Sequence, residues 1–344
     1  MNKSTAVLLL LVSLLVSSDA LARQQKSPAP GAPQSADDDD DEVVRVSTAL
    51  VTVPVSVMDR QGKFIPDLRR EDFRIYEDGV EQEVAFFETA DKPFTVALLL
   101  DVSDSALLKH AEIQEAAVAF LEQLRPDDRV LVIAFNRDVT VMTEATADRA
   151  RAAAAIRRTR TGGGTSLYEA VAEATGRRLR GVSGRKAVIL FTDGVDTSSR
   201  HASFESTLRA SEELDALVYT IQYMTGEDVA GGLTGVRSHV GGQLVTAKGE
   251  PLDAAYKRAG LYLRLLAGGT GGRSYRAGSS ALLAEAFGRI AEELRRQYSL
   301  GYYPKNRSAE GKRRRLRVRV GTPGVVVRAR GGYIYRAGAG ATEK

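Results

Sequence analysis

The stretch that decides the fold is Phe94–Leu100, FTVALLL, which runs straight into Asp101-Val102-Ser103-Asp104-Ser105. A segment this apolar has no wet face to offer, so it reads as a strand covered on both sides, as in a parallel sheet. Val130–Phe135 (VLVIAF), Ala187–Phe191 (AVILF) and Leu217–Ile221 (LVYTI) have the same character. Between these runs lie amphipathic segments. Leu107, Ala111, Ala117, Leu121 and Leu124 mark one apolar face, and Leu167, Val171, Ala174 and Leu179 mark another. Strand and helix in alternation predict right-handed crossovers and a doubly wound, mostly parallel α/β sheet. Ligands of such sheets bind beyond the carboxyl ends of the strands, which directs attention to the loops after those four runs.

Working outward, the flanks are all β. In the segment 43–92, Val51, Val53, Val55 and Val57 alternate, Asp59-Arg60-Gln61-Gly62 reads as a turn, and Phe73–Tyr76 and Glu83–Phe87 flank the hairpin signal Asp78-Gly79. After a helical pattern over Ser280–Arg296, strands return at Tyr298–Tyr303, Leu316–Val320 and Val325–Arg328. Neither flank has enough strands to close a core alone. The two are therefore expected to form one composite β-sandwich, with the α/β domain, residues 93–296, inserted between residues 43–92 and 297–344. Residues 225–255 hold seven glycines with little periodicity and read as a long surface loop.

Composition narrows the functions. The 344 residues include no cysteine and three histidines, which excludes disulfides and thiolate chemistry and leaves little for histidine-based metal clusters. Lys3, the apolar run Ala6–Val16 and Ala20-Leu21-Ala22 form the pattern of a cleaved signal peptide over residues 1–22, too short to span a bilayer, so a secreted or periplasmic protein with no transmembrane anchor in its mature chain is expected. Residues 23–42, with Pro28, Pro30, Pro33 and the acidic run Asp37–Glu42, read as a disordered linker. The formal net charge is only +4, yet residues 305–344 carry 12 Lys or Arg and 2 acids. Because Arg alternates with Leu316, Val318 and Val320, the wet face of a strand explains this better than specific nucleic-acid binding.

The strand-end loops carry the chemistry. Asp101, Ser103 and Ser105 follow the first run, Gly162-Gly163-Gly164-Thr165 comes about 60 residues on, and Thr192-Asp193-Gly194 ends the third run. Two carboxylates and three hydroxyls form a hard oxygen set of the kind Mg²⁺ prefers. Alone, Asp101 and Ser103 also suit a helix N-cap. The glycine run is no phosphate loop, because no lysine follows it. The order and spacing, DxSxS, then a loop threonine, then TDG, resemble the metal-ion-dependent adhesion site of von Willebrand factor type A domains. The flanks, with VMDRQGKFIPDL, EDFRIYEDGVEQEVAFF and LRRQYSLGYY, resemble VWFA-related domain proteins abundant in acidobacteria.

This resemblance implies a Rossmann-like sheet of the von Willebrand A type. It also implies a metal site of Asp101, Ser103, Ser105, Thr165 and Asp193 holding Mg²⁺, with Mn²⁺ or Ca²⁺ as alternatives, and a protein ligand whose Asp or Glu carboxylate completes the ion. Position 104 departs from the family pattern, with Asp104 where glycine is usual; it is expected to face water. Asp196 reads as a turn residue or as a group behind the ligands. His110 and His201 belong to no nucleophile motif, there is no GxSxG, and the carboxylates are too few for catalytic ions, so no enzyme is expected. The alternative function is a structural or envelope-associated protein that holds an anionic envelope polymer through its basic tail.

Overall fold

A computed structural model describes residues 50–89, 92–223, 236–240, 243–246, 249–306 and 311–335. The expected signal peptide and linker lie outside these residues. The N-terminal flank contributes β1 (Val51–Met58), β2 (Phe73–Glu77), β3 (Val80–Gln82) and β4 (Phe86–Glu88). The α/β domain follows with β5 (Phe94–Asp101), α1 (His110–Glu122), β6 (Arg129–Phe135), β7 (Val139–Thr146), α2 (Arg149–Arg157), α3 (Leu167–Ala172), β8 (Arg185–Thr192), α4 (Phe204–Glu213), β9 (Ala216–Tyr223), β10 (Val236–Val240), β11 (Gln243–Thr246), α5 (Leu252–Thr270), β12 (Ser274–Ala277) and α6 (Ser280–Arg296). The chain closes with β13 (Tyr298–Tyr302), β14 (Arg313–Val320), β15 (Val326–Ala329) and β16 (Gly332–Ile334).

The central sheet has the order β12-β9-β8-β5-β6-β7. Its strands are parallel except β7, which returns antiparallel to β6. Every residue of β5, β8 and β9 is buried, as their apolar runs require. One face packs on α1, α2 and α6 through Phe120, Ile156 and Phe287, and the other on α3, α4 and α5 through Val171, Leu208 and Tyr262. The apolar face expected for the first helix needs correction. A 3₁₀ turn over Asp104–Lys109 delays α1 to His110, so Leu107 and Ala111 are exposed and Ile113, Ala116, Ala117, Phe120 and Leu121 pack inward.

The flanks form two four-stranded sheets, β15-β1-β13-β4 and β16-β14-β2-β3, each drawing strands from both ends of the chain. Val53, Val55, Phe73, Ile75, Leu300 and Leu316 lie in one shared core. A buried polar cluster ties the halves together. The Glu77 carboxylate accepts hydrogen bonds from Arg314 Nη1, Tyr302 Oη and Tyr333 Oη, all at 2.6 Å. Glu83–Phe87 is not one strand: β3 pairs with β2 and β4 pairs with β13, so the chain crosses from one sheet to the other at Glu83–Ala85. The long surface loop expected over 225–255 also needs correction, because β10 and β11 within it pair as an antiparallel hairpin.

The sandwich is docked on the α/β domain by buried polar contacts. Glu293 of α6 accepts from Ser56 Oγ at 2.8 Å and pairs with Arg328, whose Nε donates to the Gly271 carbonyl at 3.0 Å. Gly271 has φ +86°, and a Cβ there would lie 2.7 Å from the backbone of Ala329 and Arg330, so only glycine permits this approach.

Candidate metal centre

Asp101 is the last residue of β5 and is completely buried. The last rung to β6 is the bond from Val102 N to the Phe135 carbonyl, after which the chain turns into the 3₁₀ segment. Asp101 Oδ1 accepts the Ser103 amide at 2.9 Å and Oδ2 accepts the Thr192 hydroxyl at 2.6 Å. Ser103 Oγ lies 2.9 Å from Ser105 Oγ, which lies 3.3 Å from Tyr223 Oη at the end of β9. Asp193, buried just beyond β8, accepts the Val195 amide at 2.9 Å, and the nearby Ser105 hydroxyl favours its charged form. Asp101, Ser103, Ser105 and Asp193 therefore form one contiguous oxygen cluster.

Thr165 sits in the glycine-rich loop on the same rim. Ser103 and Gly162 form a parallel bridge, with the Gly162 amide donating to the Val102 carbonyl at 2.9 Å. The Thr165 carbonyl accepts from Thr197 N and Ser198 N, both at 2.9 Å, and Thr165 N donates to Thr197 Oγ1 at 2.8 Å. The loop after β6 buttresses this arrangement, because Ser166 Oγ donates to the Arg137 carbonyl and Ser166 N to the Asn136 carbonyl, both at 2.6 Å. Gly164 has φ +80°, and a Cβ there would fall 2.5 Å from Ser198 Oγ, so the approach of these loops depends on it.

The electrostatics of the cluster are unfavourable without a cation. Burial, then the neighbouring Asp193 charge, pushes the Asp101 carboxyl up to about 7, and burial raises Asp193 as well. Burial and the two carboxylates also hold the Tyr223 hydroxyl well above its ordinary range. No ion pair of Asp101 or Asp193 occurs among the described residues. Two buried carboxylates in contact with serine and threonine hydroxyls, with the Thr165 loop on the same rim, fit a small divalent ion, which would offset their repulsion and accept neutral oxygen donors. The described residues contain no cluster of three or more His, Asp or Glu suited to a metal, because three of the five candidate ligands are hydroxyls.

The neighbouring candidates fall elsewhere. Asp104 is exposed on the rim. Asp196 is buried and accepts from Ser199 Oγ and, at 3.4 Å, from the Tyr168 amide in the first turn of α3. His110 Nε2 lies 3.1 Å from Thr159 Oγ1, and His201 is exposed with its amide on Glu169. Sequence reasoning quoted Thr192 only as part of the TDG motif, without a role, and missed Tyr223. Both end apolar strands whose carboxyl ends face the site, which is the signal that marks them.

Residues 96–195 match a family model described as the von Willebrand factor type A domain. No curated protein matches the chain. Among solved structures, BatB from Bacteroides thetaiotaomicron is 18% identical with TM-score 0.42, the match covering 59% of this chain and 98% of that one. A von Willebrand factor type A protein from Catenulispora acidiphila is 15% identical with TM-score 0.45, covering 78% and 74%. Proximal thread matrix protein 1 from the mussel byssus, with a zinc-occupied MIDAS motif, is 14% identical with TM-score 0.46, covering 63% and 49%.

Proposed function

Since residues 96–195 make this chain the carrier of a von Willebrand factor type A domain, we propose that it is an exported, non-enzymatic binding module that captures a protein partner through a divalent ion at the strand-end cluster. The observation that carries this reading is the pair of buried carboxylates, Asp101 and Asp193, at the carboxyl edge of the sheet, set among hydroxyls and with no ion pair among the described residues. Asp101, Ser103, Ser105, Thr165 and Asp193 would hold the ion, with Mg²⁺ the first choice for an all-oxygen set. When bound, such an ion supplies an oxygen-seeking centre for a carboxylate of the partner.

The residues of the chain divide the work. Thr192 and the Ser103 amide fix the Asp101 carboxylate, and Val195 N fixes Asp193, so neither has to reorganise. Ser103, Ser105 and Thr165 contribute oxygen without charge, which keeps the centre attractive to an incoming Asp or Glu.

The test is capture of envelope-fraction proteins on the immobilised protein in Mg²⁺. Release by EDTA, and loss of capture by Thr165→Ala with an unchanged circular dichroism spectrum, are expected. Capture that persists through both would contradict the reading. The site should also respond to pH, because protons compete with the ion for Asp101. Stabilisation by Mg²⁺, read as a rise in Tm, is expected to be larger at pH 8 than at pH 5.5, on either side of the Asp101 value of about 7. An equal rise at both would contradict it.

A further inference from the structure

Among the described residues, the arginines between 313 and 330 fall into two sets. One set is internal: Arg314 pairs with Glu77, Arg328 pairs with Glu293, and buried Arg330 donates to the Thr52 carbonyl. The other set shares a surface. Arg313, Arg315, Arg317 and Arg319 alternate along β14 and all four are exposed. Alternate residues of a strand recur about every 7 Å, so the four stand in one row on the same face of β14. The register sets Arg74 opposite Arg319 and Tyr76 opposite Arg317. The Arg319 guanidinium lies 5.4 Å from the Tyr76 ring centre, which holds it along the sheet.

Acids near the row engage its ends and flank. Glu212 is 3.1 Å from Arg313, Asp78 is 3.9 Å from Arg315 and Glu81 is 3.4 Å from Arg74, while Arg317 and Arg319 have no ion pair among the described residues. The pairs to Arg315 and Arg74 are largely exposed on both sides and therefore weak, so a multivalent anion can displace them.

We propose that the outer face of the sheet containing β14 and β2 binds a linear polysaccharide bearing carboxylate or sulfate groups, with Arg317 and Arg319 at the centre of the contact. Planar guanidinium groups match both anions in bidentate fashion. A row one strand wide, flanked by Asp78 and Glu81, fits a chain better than the plane of an anionic bilayer, and the row offers no apolar side chain to insert. A single-stranded nucleic acid would want open aromatic faces for its bases, and on these two strands the one aromatic of the outer face, Tyr76, is already covered by Arg319. This surface lies on the sandwich and acts without the metal site.

The test uses the full chain on immobilised heparin in EDTA, which removes any contribution from metal-bridged capture. Retention is expected, with elution at a salt concentration well above that of the Arg317→Glu/Arg319→Glu double variant, whose affinity should fall roughly tenfold or more. Both residues are exposed, so circular dichroism and Tm should match the parent. Oligo-dT and phosphatidylserine vesicles at the same salt should bind the parent more weakly than heparin does. Co-elution of the variant with the parent, no retention of the parent, or equal binding to oligo-dT or vesicles would each overturn the proposal.

Discussion

Glu77→Ala is expected to destabilise the protein by about 3–5 kcal/mol, because it strands the buried guanidinium of Arg314 and two tyrosine hydroxyls in the sandwich core. Glu77 and Arg314 are each only 3% exposed. Arg314 also donates to the Asn306 carbonyl at 2.6 Å and stacks 3.8 Å over the Tyr335 ring, so it has no route to solvent without breaking the sheet. The hydroxyls of Tyr302 and Tyr333 are held above their ordinary range by burial and then by their bonds to Glu77, so they remain neutral donors. The loss should appear as a Tm lower by roughly 10 °C. A Glu77→Met/Arg314→Met double variant should recover most of it, because no buried charge is then left alone. A Glu77→Ala protein that melts with the parent would show that the cluster does not tie the two ends of the chain together.

Asp101→Asn is expected to act in the opposite direction when metal is absent. In the folded protein the Asp101 carboxyl is raised from 3.8 to about 7, first by burial and then by Asp193. The native state therefore holds that proton more tightly than the unfolded chain, and the metal-free protein loses stability as pH rises from about 4 through about 7. At pH 8 the neutral asparagine removes this cost, so the metal-free variant should melt above the metal-free parent. Excess Mg²⁺ should reverse the order. At a hundredfold excess over Kd the parent gains about 2.7 kcal/mol, a rise of roughly 5–10 °C, while the variant gains little. A variant that melts below the parent without metal would show that Asp101 is stabilised by its hydrogen bonds rather than strained by its neighbour.

Much of the fold was legible because burial on both faces leaves an unmistakable apolar run. Phe94–Leu100 and Ala187–Phe191 are such runs, and they became β5 and β8. β7 escaped because VTVMTEAT is a half-exposed edge strand with threonine at its polar positions, so it shows only weak alternation. β12, four residues at the opposite edge, is too short to carry a pattern. The break at Glu83–Ala85 was invisible because a strand that changes sheets keeps its local propensity; only the distant partners β2 and β13 reveal it.

The site divides in a similar way. Residue types with fixed spacing in the loops, such as Asp101, Ser103 and Ser105, are local and can be read. Thr192 and Tyr223 reach the cluster from other strands, 91 and 118 residues from the atoms they meet. The Glu77–Arg314 pair spans 237 residues, and nothing in either local sequence announces it. Register across the sheet decides which face of RRRLRVRV turns inward, and Arg314 shares that face with Leu316, Val318 and Val320.

The central claim is that Asp101, Ser103, Ser105, Thr165 and Asp193 hold one divalent ion. Electron paramagnetic resonance of free Mn²⁺, titrated into the metal-stripped protein at pH 8, counts bound ions directly. The account predicts one Mn²⁺ per chain, displaced by Mg²⁺, and none for Asp101→Asn. Equal Mn²⁺ uptake by parent and variant, or no uptake by the parent, would contradict it.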